Sequence, residues 1–84
     1  MTRNEIQSKV MTIAGETFEL DEAELLGDKH IIDELGASSV MRLEFIVMLE
    51  RGFGCQFVPE EIEVAQNLNE VVDVVERIIR KKSA

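Results

Sequence analysis

Two adjacent serines, Ser38 and Ser39, are the residues of this sequence best placed for chemistry. They follow Gly36 and precede a long apolar segment, an arrangement typical of a helix that begins with hydroxyl groups in its first turn. A serine nucleophile needs a base within hydrogen-bond reach, and the single histidine, His30, has no patterned carboxylate or cysteine beside it. We therefore expect no catalytic residues, and we expect the serines to form either a helix cap or a site that another protein modifies.

Metal binding has equally little support in the sequence. One histidine and one cysteine, Cys55, lie far apart and cannot build a tetrahedral metal site, and the glycines do not form a phosphate-binding loop. A single cysteine also excludes an internal disulfide framework. We expect no metal in this protein.

The charge balance points to protein partners. The chain has 84 residues and a net charge of −8, and between positions 16 and 76 sixteen acids stand against three bases. Such a surface repels phosphate backbones, so we expect no nucleic-acid partner, and it steers basic protein surfaces toward the chain. Because no apolar run approaches the ~20 residues of a membrane span and the first residues do not form a signal peptide, we expect one cytoplasmic domain over residues 1–84.

Hydrophobic periodicity predicts an all-α fold, a small four-helix bundle with three longer helices and a short third helix. The first helix is predicted over residues 3–14, because Thr2 and Glu5 form a capping box and Gly15 is a natural C-terminal stop. A long loop over residues 16–37 then joins helices 1 and 2, with a possible helical turn around residues 21–26.

The remaining helices follow from turn and capping residues. The second helix is predicted from the serine pair to Arg51 or Gly52, and the third over residues 60–65, after Pro59. The last helix is predicted to begin at Asn67 or Asn69 and to carry acids early and bases late, as the helix dipole favours.

The stretch from residue 33 to residue 53, DELGASSVMRLEFIVMLERGF, resembles the acyl carrier proteins. Their pattern is Asp-x-Gly-x-Asp-Ser-Leu, followed by an apolar helix with an internal Glu and a terminal Leu-Glu-x-x-Phe. The positions that match it in register without a gap are Leu35, Gly36, Ala37, Ser39, Glu44, Leu49, Glu50 and Phe53. The similarity continues through VPEEIEVAQNL into the last helix and covers about residues 3 to 80.

The resemblance implies that Ser39 carries 4′-phosphopantetheine, which a phosphopantetheinyl transferase takes from coenzyme A with Mg²⁺. The thiol of that group carries acyl intermediates as thioesters between enzymes of fatty-acid, lipid or polyketide-type biosynthesis, so the protein is expected to be a carrier and not an enzyme. Carriers of this family shelter apolar cargo between helices. The plausible lining here, which is equally ordinary core, is Phe45, Leu49, Ile62, Ala65, Leu68 and Val71.

The second helix is apolar nearly all round, so it is either central to the bundle or presents one face to a partner. We expect acyl-transferring or condensing enzymes with basic docking surfaces to bind a monomeric carrier there. The candidate docking residues are Val40, Met41, Arg42, Glu44, Val47, Met48 and Glu50.

The chain also departs from the family pattern. Ser38 stands where the family has Asp, and Met41 and Arg42 stand where a small polar residue and an acid are common. These departures suggest a specialised carrier that serves a dedicated synthase or ligase. In that case Arg42→Glu should weaken transfer with the cognate partner.

Two alternatives remain at this point. One is an aminoacyl or peptidyl carrier, although the usual Gly-His or Gly-Asp before the serine is absent, which favours acyl cargo. The other is a helical protein-docking module with no prosthetic group.

Overall fold

The fold is built from four helices. The computed structural model describes residues 2–21, 25 and 38–83. Along the chain they form α1 (Arg3–Phe18), α2 (Ser39–Phe53), α3 (Pro59–Glu63) and α4 (Leu68–Ser83), which confirms the all-α prediction with a short third helix. The predicted turn around residues 21–26 and the end of the long loop at Leu35 and Gly36 lie outside the described residues, apart from Asp21 and Leu25.

The longer helices pack around one apolar core. α1 contacts both α2 and α4, and α3 contacts α2 and α4. The rings of Phe18 and Phe45 meet with their centroids 5.0 Å apart and join the end of α1 to the middle of α2. The largest fully buried side chains are Ile6, Val10, Phe45, Leu49, Leu68, Val71, Val72 and Val75.

α1 begins as predicted but ends one turn later. Its N-terminal capping box is present, with Thr2 and Glu5 as partners. The prediction that the helix stops at Gly15 is wrong, because α1 continues to Phe18 and the left-handed residue is Glu19, with φ of 55°. Burial of Phe18 against the core outweighs the roughly 1 kcal/mol by which glycine disfavours a helix.

α2 is bounded by local signals at both ends. Ser38 precedes it in an extended conformation, and Gly54 follows it with φ of 66°, a left-handed conformation that glycine adopts without strain. The helix therefore runs slightly beyond the predicted end at Arg51 or Gly52. A Cβ on Gly52 would lie 2.7 Å from Cδ1 of Ile13, so this glycine permits close approach of α2 to α1.

α3 is shorter than predicted, and Ala65 lies after its end. The backbone N–H of Glu70 donates to Oδ1 of Asn67 at 2.9 Å, so Asn67 and not Asn69 caps α4. α4 is tied to α1 by Arg3, whose guanidinium lies 2.7 Å from Asp73 and 3.2 Å from Glu76. Among the helices described, none combines the length and the apolar character needed to cross a bilayer.

Candidate functional site

The two serines occupy different structural positions at the start of α2. The hydroxyl oxygen of Ser38 accepts a hydrogen bond from the backbone N–H of Met41 at 3.2 Å, which is the geometry of an N-cap. Ser39 is the first residue with helical geometry, and its side chain is exposed. The cap is therefore formed by Ser38, and the hydroxyl of Ser39 makes no hydrogen bond within the described part of the chain.

The surroundings of Ser39 suit an attached anion. The first N–H groups of a helix have no intrahelical acceptor, and the helix dipole places partial positive charge there. No acidic residue lies in the first turn of α2, so no carboxylate of that turn opposes a phosphate there. A phosphate ester on Ser39 would therefore lie in a favourable field and on a backbone held by the Ser38 cap.

The outward side of α2 exposes a row of aliphatic side chains. Val40, Leu43 and Val47 are 66%, 54% and 45% exposed, and we refer to these three residues as the α2 outer stripe. Their spacing of three and four residues places them on one side of the helix. The opposite side, with Phe45 and Leu49, is buried, so α2 both contributes to the core and presents an apolar surface.

Two of the predicted docking residues make contacts inside the molecule. A guanidinium nitrogen of Arg42 donates to the carbonyl oxygen of Glu63 at 3.0 Å, which joins α2 to the last residue of α3. The carboxylate of Glu50 accepts a hydrogen bond from the backbone N–H of Phe57 at 3.0 Å and so holds the turn after α2. Both side chains have a structural partner before any other protein binds.

The other predicted docking residues lie along or beside the outer stripe. Val40, Val47 and Glu44 are exposed, whereas Met41 and Met48 are half-buried and pack against the core. The prediction omitted Leu43, although its spacing from Val40 and Val47 would have placed it on the same side of the helix.

The residues predicted to line the cargo site are buried core residues in this structure. All six residues are buried, with Ile62 and Ala65 at 5% and 6% exposed and Leu49, Leu68 and Val71 completely covered. They belong to one contiguous cluster with the residues of α1 and α4. The structure therefore brings these residues together as packing partners around the axis of the bundle.

Comparison with known proteins identifies the family. The model of the phosphopantetheine attachment site family matches residues 8–75, most of the chain. The solved structure of the acyl carrier protein from Enterococcus faecalis is similar over 89% of this chain and 95% of that one, with a TM-score of 0.71 and 31% sequence identity. The chain belongs to the acyl carrier protein family. The resemblance seen in the serine motif is thus confirmed over almost the whole length of the carrier.

Carriers of this family hold 4′-phosphopantetheine covalently, and the start of α2 fits that group. Ser39 offers an exposed hydroxyl, and the adjoining helix terminus offers donors and positive potential for the phosphate. Ser38, which stands in the position of the family's Asp, has a different structural role. Its oxygen accepts a hydrogen bond from the backbone N–H of Met41, so it forms the N-cap of α2.

Proposed function

We propose that this acyl carrier protein holds acyl intermediates as thioesters on 4′-phosphopantetheine attached to Ser39. It presents them to enzymes of fatty-acid, lipid or polyketide-type biosynthesis and is not itself a catalyst. The assignment to Ser39 rests on the different hydrogen bonding of the two serines at the N-terminus of α2. Both serines are exposed, but the Ser38 hydroxyl accepts the capping hydrogen bond, whereas the Ser39 hydroxyl makes no hydrogen bond within the described residues.

The residues of the chain would have distinct roles in this function. The Ser39 oxygen is the point of attachment, and the free N–H groups of the first turn of α2 stabilise the phosphate. When attached, the group supplies the thiol that forms the thioester. The Ser38 cap and the contact of Arg42 with Glu63 fix the start of α2. The flexible prosthetic group would therefore be attached to a rigid part of the backbone.

Partner enzymes would recognise charge first and apolar surface second. The net charge of −8 steers basic surfaces of a phosphopantetheinyl transferase and of acyl-transferring or condensing enzymes toward the carrier. We propose that they dock over the predicted residues Val40, Met41, Glu44, Val47 and Met48, beside Ser39. Arg42 and Glu50 contribute to this surface by holding α2, since both are bonded internally.

Intact mass spectrometry tests the attachment. The wild-type protein is incubated with coenzyme A, Mg²⁺ and a broad-specificity phosphopantetheinyl transferase, together with Ser38→Ala and Ser39→Ala. We expect the mass of one phosphopantetheine on the wild type and on Ser38→Ala, and none on Ser39→Ala.

The other outcomes separate the alternatives. Addition to Ser39→Ala but not to Ser38→Ala would show that the attachment site is Ser38 and would refute the assignment to Ser39. No addition to folded wild-type protein would favour an unmodified docking module. Loading of the modified protein with amino acids in preference to acyl groups would favour the aminoacyl or peptidyl carrier.

A further inference from the structure

We propose that the guanidinium of Arg42 binds the phosphate of the prosthetic group on Ser39, and so joins the base of that group to both α2 and α3. The inference rests on the proposed function, because it concerns the phosphopantetheine attached to Ser39. It goes beyond the attachment point by naming a second residue that binds the group. In this role Arg42 holds the phosphate and takes no part in the thioester chemistry.

Ser39 and Arg42 are neighbours on the surface of α2. Residues three positions apart in a helix lie on the same side, with their Cβ atoms about 5–6 Å apart. Long helical side chains point back over the preceding turn, so the Arg42 side chain is directed toward the helix start and Ser39. Ser39 is exposed and Arg42 is half-buried. A phosphate on the serine hydroxyl therefore lies within reach of the guanidinium.

The guanidinium is already oriented by a contact between helices. It donates to the carbonyl oxygen of Glu63 at 3.0 Å, and within the described residues this contact engages one guanidinium nitrogen. The group carries five N–H donors in a planar fork, so it can bond a second acceptor at the same time. Because the contact already restricts the Arg42 side chain, little additional conformational entropy is lost when a phosphate binds.

The distribution of charge along α2 favours this pairing. A phosphodiester is an anion, and hydrogen bonds between arginine and phosphate are charge-assisted. Arg42 and Arg51 are the two bases of α2, and Arg51 lies twelve positions after Ser39, roughly 18 Å along the axis. Glu44, five positions after Ser39, lies on a different side of the helix, and the Glu63 side chain is exposed to water.

Modification would therefore strengthen the link between α2 and α3. In the unmodified protein Arg42 connects α2 to the last residue of α3. With the group attached, the same guanidinium would also hold the phosphate at the start of α2, together with the free N–H groups of the first turn. The first atoms of the arm are then fixed, and the rest of the arm remains flexible.

A phosphoserine introduced at position 39 of the full chain tests the contact without a transferase. Its second pKa, near 6 for a free side chain, is measured by phosphorus nuclear magnetic resonance as the pH is varied. A nearby cation favours the dianion, so Arg42→Gln should raise this pKa by about 0.2–0.7, the range that corresponds to an exposed ion pair. Arg42→Lys should recover part of the difference, since it keeps the charge but not the planar fork.

Two variants control for effects other than the contact. Arg51→Gln removes the same charge from the far end of α2 and should leave the phosphate pKa unchanged. Ser38→Ala removes the N-cap but keeps Arg42, so it reports the effect of a loosened helix start. An unchanged pKa in Arg42→Gln, or a rise of equal size in either control, would overturn the proposal.

The holo protein separates this inference from the function on which it rests. Phosphopantetheine is attached enzymatically to the wild type, Arg42→Gln and Arg51→Gln, and the phosphorus resonance of the phosphodiester is recorded. We expect the resonance of Arg42→Gln to differ from that of the wild type, and the resonance of Arg51→Gln to coincide with it. Coincidence of all three would overturn the contact. Failure of the transferase to modify Ser39 would instead refute the proposed function, and the phosphoserine titration would still decide whether Arg42 binds a phosphate there.

Discussion

The side chain of Arg42 donates a hydrogen bond across 3.0 Å to the main-chain carbonyl oxygen of Glu63. This contact joins the first turn of α2, which carries the candidate attachment serine, to the end of α3. A carbonyl at a helix C-terminus has no intrahelical donor, so the guanidinium supplies one that the helix itself lacks. An arginine that is unusual for the family thus has a role within the fold.

Loss of this contact should destabilise the protein. We expect Arg42→Gln to lower the free energy of unfolding by about 1 kcal/mol, the net value of a hydrogen bond of this kind. Urea unfolding measures the change. Arg51→Gln is the control, because Arg51 lies on the same helix, is exposed and should change stability by no more than about 0.5 kcal/mol. Equal effects of the two substitutions would show that the contact with Glu63 has no energetic role.

Substitutions of the two serines should have different effects on protein stability as well as on modification. We expect Ser38→Ala to lower the free energy of unfolding by about 1 kcal/mol, because it removes the N-cap of α2. Ser39→Ala should leave it within about 0.5 kcal/mol of the wild type, since its exposed hydroxyl is not part of the cap. Urea unfolding of the unmodified proteins measures both values, and the reverse order would reject the assignment of the cap to Ser38.

Glu50 should matter for stability more than for docking. Its carboxylate accepts the backbone N–H of Phe57, whose side chain is buried. We expect Glu50→Ala to cost about 1–3 kcal/mol, because that N–H would lose its acceptor. Glu44→Ala is the matched control on the exposed side of α2, and its effect should be small. Thermal or urea unfolding of the pair gives the comparison, and similar stabilities would show that the Phe57 N–H finds another acceptor at no cost.

The capping box of α1 should give an acid-sensitive contribution to stability. The hydrogen bond from the backbone N–H of Thr2 to the Glu5 carboxylate, 2.9 Å long, lowers the pKa of Glu5 below its ordinary value of 4.5, and the Thr2 side chain assists. A carboxyl with a lower pKa in the folded state stabilises the fold above its unfolded pKa. That contribution is lost as the pH falls through the folded pKa.

The difference in unfolding free energy between wild type and Glu5→Gln isolates this contribution. We expect the difference to be largest near neutral pH and to shrink as the pH falls below the ordinary pKa of glutamate toward about pH 3. Direct titration of the Glu5 carboxyl by nuclear magnetic resonance should show the lowered pKa. A difference that stays constant over this pH range would mean that the carboxylate charge contributes nothing to the cap.

Local signals predicted much of the fold, including the helix start that carries the candidate attachment serine. The Thr2 and Glu5 capping box, the serine pair before α2 and Asn67 before α4 each act within one helical turn, so they can be read from neighbouring residues. The apolar periodicity of the helices is equally local. The register of the family motif favoured Ser39, and the cap formed by Ser38 supports that choice.

Packing between helices determined the end of α1 and the contacts of Arg42 and Glu50, which local signals did not predict. Gly15 is a sound stop signal, yet α1 continues because Phe18 reaches Phe45 on another helix. The contacts of Arg42 and Glu50 join positions 21 and 7 residues apart, and no pattern in the sequence pairs them. Both residues were predicted to be surface charges that bind a partner. Their internal partners are the backbone carbonyl of Glu63 and the backbone N–H of Phe57, and backbone partners cannot be recognised from residue types.

The sequence by itself determined that this chain forms a small helical bundle with a hydroxyl at the start of its second helix, because capping and periodicity depend on residues only a few positions apart. Only the tertiary structure decided which sides of α2 are covered and which are left open. Those properties depend on contacts between separate helices.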